Sequence, residues 1–222
     1  MSIPAKSTEA PSFAKTWRQV KGNAPTFATI WCLILVTGLI DFIFSTSLSF
    51  LLGESIGEYT IIATMVGSLP TTILANLAGI LMMAVPAIYY TTDRCPNPGE
   101  IVSILRHKPL RYLLAGFQFT IVGGIGLLLC VIPGILVILT SPLYVHYVFT
   151  TDLNLINCLS KAFKGMFQNF GSYFAVSLLC SLAVVGSTIL CVFPVLVVYP
   201  MTALYMQNYI HHRGLVRARE LA

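Results

Sequence analysis

Gly123–Phe149 reads GGIGLLLCVIPGILVILTSPLYVHYVF. It contains no Asp, Glu, Lys or Arg, and Pro133-Gly134 stands near its middle. Moved along the chain by 61 positions, much of it returns: Leu129-Cys130-Val131, Pro133, Val137, Leu143 and Tyr144 become Leu190-Cys191-Val192, Pro194, Val198, Leu204 and Tyr205. A long uncharged run with a proline turn in its middle reads as two apolar helices joined back to back. Pro133, Gly134 and Pro194 are therefore the expected hinges, and the chain is expected to be an all-α membrane protein built from hairpins.

Composition points the same way. Of 222 residues, 56% are hydrophobic and 9% charged, where globular domains carry about 25% charged residues. Lipid must solvate much of such a chain. The length fits about six spans of roughly 20 residues with connectors. The net charge is +5, but the basic residues sit in short groups beside apolar runs, which is membrane-flanking charge rather than a nucleic-acid footprint. The six Cys form no C-x-x-C pair; four lie in apolar runs and read as small buried hydrophobes. The N-terminal stretch is polar and has no signal-peptide core of its own, so the first span is expected to stay as an uncleaved anchor.

Outward from the opening stretch, residues 1–11 read as a disordered tail. Phe13–Lys21 reads as an interfacial helix with Phe13, Trp17 and Val20 on one side and Lys15, Arg18 and Lys21 on the rest. Thr26–Leu52 is the first span, with Asp41 its one charge, and Thr71–Thr91 the second, after a break at Pro70. In the connector 93–111, Asn97-Pro98-Gly99-Glu100 reads as a helix start: Asn caps, Pro suits the first position, and Glu bonds back. That helix should stop before Pro109. Leu110–Val131 and Pro133–Phe149 are the third and fourth spans, and Thr151–Lys164 is a second amphipathic helix with Leu153, Ile156, Leu159 and Phe163 on its apolar side. Phe170–Leu190 and Phe193–Ile210 complete six spans. The expected units are 12–92, 93–150 and 151–213 of one membrane domain, with 214–222 as a tail.

Charge placement gives orientation. All 13 Lys and Arg fall in the N-terminal segment, the 93–111 and 151–164 connectors or the C-terminal tail. The connectors after spans one, three and five hold none. With six spans these basic segments share one side, and the positive-inside rule makes it the cytoplasm. A threefold unit of amphipathic helix plus hairpin follows: Arg18, Lys21, Gly22 and Phe27 align with Lys161, Lys164, Gly165 and Phe170 at a shift of 143, and Tyr112 with Tyr173 at 61.

Gly124–Leu129, then Val131-Ile132-Pro133-Gly134-Ile135-Leu136, Pro142, Cys158-Leu159-Ser160-Lys161, Lys164-Gly165 and Asn169 resemble a pattern in the YciC-like family of uncharacterised bacterial membrane proteins and in the membrane domain joined to some glycerophosphodiester phosphodiesterases. The resemblance covers roughly Gly116–Tyr173. It implies a six-span bacterial inner-membrane protein without an established activity. The phosphodiesterase catalytic domain has no counterpart here, so no catalytic residue carries over.

Candidate sites are few. Asp41 is an ionisable residue within a span, which is costly and either functional or held in a polar contact. Asn76 and His146 are the other intramembrane polar candidates, and the three together would serve a small transporter or channel. His211-His212-Arg213 forms a headgroup-level cluster for which the sequence offers no further metal ligand. Tyr and Phe fall at span ends, where aromatic belts occur. No phosphate-binding Gly loop, H-E-x-x-H motif or nucleophile–base pairing is present, so no catalytic, cofactor-binding or metal residue is named. The leading expectation is a non-enzymatic scaffold, assembly or membrane-organising protein. Its basic face of Lys15, Arg18, Lys21, Arg106, Lys108, Arg111, Lys161 and Lys164 would meet anionic headgroups or another membrane protein.

Overall fold

A computed structural model describes residues 10–52, 79–92, 94–190 and 192–216. Among them every regular element is helical: α1 (Phe13–Gly22), α2 (Ala24–Leu52), α3 (Gly79–Thr92), α4 (Pro98–His107), α5 (Pro109–Leu129), α6 (Val131–Leu139), α7 (Ser141–Thr150), α8 (Leu155–Gln168), α9 (Phe170–Leu190) and α10 (Val192–His212). Three helices, α2, α5 and α9, are long and apolar enough to cross a membrane, and a fourth span results if α6 and α7 are one bent helix. α10 is 21 residues long, but Gln207, Asn208, His211 and His212 make its second half too polar to pass the same measure. The described part of α3 is apolar but short.

Local sequence explains most helix ends. α4 begins as expected: the Asn97 backbone N–H donates to Glu100 Oε2 at 2.9 Å, and Glu100 Oε1 pairs with Arg94 at 2.6 Å. It ends at His107, just before the residue that precedes Pro109. α10 ends on Gly214, whose φ of +62° allows the Leu215 N–H to reach the Ile210 carbonyl and the Gly214 N–H that of His211, each at 3.1 Å. The turn folds Leu215 and Val216, expected in the tail, into the core.

The first hinge lies three residues before the expected place. Cys130 takes extended backbone angles between α5 and α6, and Pro133-Gly134 falls in the first turn of α6. Proline costs nothing there, because the first N–H groups of a helix have no intrahelical partner. Gly134 serves close packing instead of turning. A Cβ on it would collide with the Leu127 side chain and lie 2.8 Å from the Leu127 nitrogen, and one on Gly126 would lie 3.1 Å from the Gly134 Cα. In the second copy α9 stops at Leu190 and α10 starts at Val192, which puts Pro194 at the same third position.

The expected fourth span is divided, since α6 and α7 meet at Thr140 with a 42° bend just ahead of Pro142. One further expectation is corrected. The second amphipathic helix starts at Leu155, not Thr151. Residues 151–154 stay extended because Arg111 claims their carbonyls: its Nη2 donates to Thr151 and Leu153 at 2.8 Å each. The inner face of α8 is Cys158, Ala162, Gly165 and Met166, while Ile156 is exposed. Small residues at 162 and 165 let α8 lie close against α7, with Leu143 next to Gly165.

The packed core sits at one end of the molecule. One cluster joins Tyr112, Leu143, Tyr144, Tyr147, Cys158, Met166, Tyr173, Tyr209, Ile210 and Leu215, and a second joins Val20, Phe27, Ile30, Leu81, Met82, Val85, Tyr90, Ile101 and Leu204. The other ends of the long helices are bare: Phe50 is 87% exposed, Leu128 88%, Leu129 78% and Ile189 81%. In water such surface would collapse; in hydrocarbon it is at no disadvantage.

A Gly134→Ala substitution is expected to lower stability by about 1–3 kcal/mol through overpacking. A Cβ on Gly124 meets nothing within 4 Å, so Gly124→Ala is the control. Thermal unfolding of both in one detergent decides it; equal midpoints would show that the α5–α6 contact does not constrain the hairpin.

Candidate functional site

The segments that carry the basic residues interlock. Lys108, before α5, pairs with Asp152, after α7, at 2.5 Å. Arg111 Nε also reaches the Val148 carbonyl at 3.4 Å. Thr26 at the start of α2 donates to the Pro96 carbonyl at 2.9 Å. Phe13 of α1 stacks on Tyr205 of α10, and the Gly165 Cα region of α8 abuts the Leu215 carbonyl. The N-terminal helix, both connectors and the turn after α10 thus form one end of the molecule.

Tyrosines lock this end from within. Tyr144 donates to the Ala115 carbonyl at 3.1 Å, Tyr173 to that of Leu139 at 2.8 Å, and Tyr209 to Ser172 Oγ at 2.7 Å. All three rings are buried. The expectation of an aromatic belt fails for them: each buries its ring and pairs its hydroxyl. It suits the phenylalanines better, since Phe163, Phe167, Phe170 and Phe174 stack in sequence and the last three stay exposed.

The eight basic candidates divide. Arg111 is spent on backbone carbonyls and Lys108 on Asp152. Lys161 lies over the Tyr147 ring at 6.0 Å, and Lys15 is half-buried on α1. Arg18, Lys21, Arg106 and Lys164 are exposed. On α1, Thr16 and Val20 face the protein, and Trp17 stands out beside Arg18.

Of the polar candidates, His146 is fully buried on α7. Asp41 lies in α2, with its side chain outside the described residues, as is all of Asn76. The neighbours of His146 come from elsewhere. His211 of α10 stands with its ring centroid 5.1 Å away and itself stacks on Tyr90 of α3 at 5.5 Å. Gln207, one turn earlier on α10, is buried beside His146. Its Nε2 donates to the Pro142 carbonyl at 2.9 Å. Tyr90 donates in turn to Gln19 Oε1 at 3.1 Å, which brings α1 to the same cluster. Neither ring nitrogen of His146, nor Gln207 Oε1, nor His211 Nε2 makes a hydrogen bond of normal geometry, although all are buried. Sequence reasoning named His146 and His211 separately. Nothing in their spacing, 65 residues apart, joins them, because a connector, α8 and α9 intervene.

No family model, no curated protein and no solved structure matches this chain. The functional reading therefore rests on its own residues.

The Lys108–Asp152 pair has a defined pH response. The hydrogen bond and charge of Lys108 hold the Asp152 carboxyl below its ordinary value. A lowered folded pKa means stabilisation that is complete above the unfolded value, about 3.9, and lost as pH falls through the folded one. Thermal midpoints of the native chain and Lys108→Gln should differ at about pH 5 and converge only below the ordinary carboxylate range. Convergence already at about pH 5 would show that the pair is not formed.

Proposed function

We propose that this chain is a non-enzymatic multi-pass membrane protein that organises or scaffolds components at the membrane surface through its basic end. The observation that carries the reading is the gathering of the basic segments onto one interlocked end, opposite bare apolar helix tips. Such a molecule presents a rigid charged plate at the headgroup level. The exposed part of the plate is Arg18, Lys21, Arg106 and Lys164, flanked by Trp17 and the phenylalanine row from α8 to α9. Amphipathic helices with that pairing of charge and aromatics lie in the interface and attract anionic lipid.

The finer topology belongs to the same proposal: six spans in three hairpins, each after an amphipathic helix, with both termini in the cytoplasm of a bacterial cell and the protein in its inner membrane. Each of α1, α4 and α8 precedes a long apolar helix, and the bounds of α9 and the start of α10 fall where a 61-residue shift of α5 and α6 puts them. Both support a repeated unit; the six spans and the inner membrane are what the YciC-like resemblance implies.

A second reading, a small transporter or channel using Asp41, Asn76 and His146, draws on the buried polar cluster around His146. It requires that Asp41→Asn change flux in reconstituted vesicles.

The leading reading is tested by reversing Arg18, Lys21, Arg106 and Lys164 to Glu, extracting the tagged protein in mild detergent and identifying what stays bound. Each basic residue near an anionic surface is worth about 1 kcal/mol, so the reversed protein should lose most of its co-purifying anionic lipid or acidic partner. Unchanged recovery of both would rule out this role for the basic end.

A further inference from the structure

We propose that α1 is a latch that closes the helices into a ring, and that the seam it holds, between α10 and the first helices of the chain, is where the molecule opens. The helices fall into three groups along the chain, α1–α3, α4–α7 and α8–α10. In the second and third groups the leading amphipathic helix packs on the closing helix of the group before it. Ile101 of α4 shares a buried cluster with Leu81, Met82 and Val85 of α3, and Gly165 of α8 lies against Leu143 of α7. α1 leads the first group and takes the same place on the last one: Phe13 stacks on Tyr205 of α10 with ring centroids 4.5 Å apart.

The closing helices complete the ring. Tyr90 of α3 stacks on His211 of α10 at 5.5 Å, and His211 faces His146 of α7 at 5.1 Å. Ser141 of α7 meets Met83 of α3, with Oγ 3.9 Å from the sulfur. α3, α7 and α10 thus touch pairwise, and polar side chains meet where the three groups join. Gln19 of α1 reaches this junction: Tyr90 donates to its Oε1 at 3.1 Å, and its Nε2 donates to the Tyr89 hydroxyl at 3.5 Å.

The three seams are not equivalent. Residues 93–97 tie the first group to the second, and residues 151–154 tie the second to the third. Both connectors are pinned, one by Thr26 on the Pro96 carbonyl and the other by Arg111 on those of Thr151 and Leu153. A chain of n residues spans at most about 3.3–3.6 Å × n, so these two seams cannot part far. No connector runs from α10 to the first group. Among the described residues, side chains alone hold that seam. They are the α1 contacts, the Tyr90–His211 stack, Leu204 in the first group's buried cluster, and Trp31 of α2. The Trp31 Nε1 donates to the Leu196 carbonyl at 2.9 Å, with the ring 6.2 Å from Tyr199. Local opening begins where the fewest constraints must break. α1 joins α2 through Asn23 alone, so it can leave α10 without unfolding. Opening there uncovers Tyr90, His146, Gln207 and His211, which the ring encloses. The inference rests on these contacts and not on the scaffold reading.

The test uses the full chain in lipid vesicles. Its two Trp are Trp17 and Trp31, so Trp17→Phe leaves Trp31, which is half-buried, as the reporter on the seam. Phospholipid brominated on its acyl chains quenches Trp fluorescence on contact. Removing the latch contacts by Phe13→Ala with Gln19→Ala should raise the quenching of Trp31. Lys108→Gln breaks the Lys108–Asp152 pair at the connector between the second and third groups, and it should leave the quenching unchanged. Circular dichroism shows whether the double variant keeps its helices; should it not, Gln19→Ala alone gives the decision. Equal quenching with and without the latch contacts would overturn the proposal. So would an equal rise in Lys108→Gln, because the loosening would then not belong to this seam.

Discussion

Helices in lipid are not driven together by the hydrophobic effect, because hydrocarbon solvates leucine as well as another leucine does. Whatever holds this molecule in shape must therefore act through close van der Waals packing and polar contacts. The polar contacts are concentrated at the basic end. Arg111 shows the logic most clearly. One guanidinium bonds the carbonyls of Val148, Thr151 and Leu153, groups that the end of α7 leaves without helical partners. In doing so it fixes where α7 stops, keeps the next residues extended, and sets the start and rotation of α8. Charge-assisted bonds of this kind are about twice as strong as neutral ones.

The tyrosine bonds repeat that logic between helices. Tyr144, Tyr173 and Tyr209 each span two helices, with the ring in the core and the hydroxyl on a group of the neighbouring helix. Far from this end the contacts thin out to glycine-mediated backbone approach at Gly126 and Gly134, and then to bare apolar surface. A rigid plate with apolar arms results.

Much of the helical layout was legible in the sequence. The Asn97–Glu100 start, the stop before Pro109, the bounds of α9 and the position of α1 follow from local rules, and the structure keeps them. What the sequence misplaced involved contacts between distant segments. The pattern at Thr151–Asn154 allows a helix, and only Arg111, from another element, prevents it. Pro133-Gly134 looks like a turn until α5 packs against it, when it becomes a first-turn proline and a contact glycine. On α8, Leu159 and Phe163 pack against the core as their spacing indicates, but Ile156 points away and the fully buried positions are Cys158, Ala162, Gly165 and Met166. His146 and His211 could not be joined from spacing alone. The six-span count was read from hydropathy. Among the described residues three or four helices meet the length and composition needed for a span; α10 falls short because it carries its polar cluster inside an otherwise apolar run, and most of the expected second span lies outside the described residues.

Labelling by a membrane-impermeant thiol reagent tests the central claim most directly. Two single-cysteine proteins in intact cells suffice: one keeps Cys130 at the exposed α5–α6 turn, the other carries Arg106→Cys at the basic end. If the basic segments form one cytoplasmic plate, Cys130 is labelled from outside and residue 106 only after the membrane is permeabilised. Labelling of both from the same side would contradict it, because α5 would not then cross the membrane between the bare tip and the charged end.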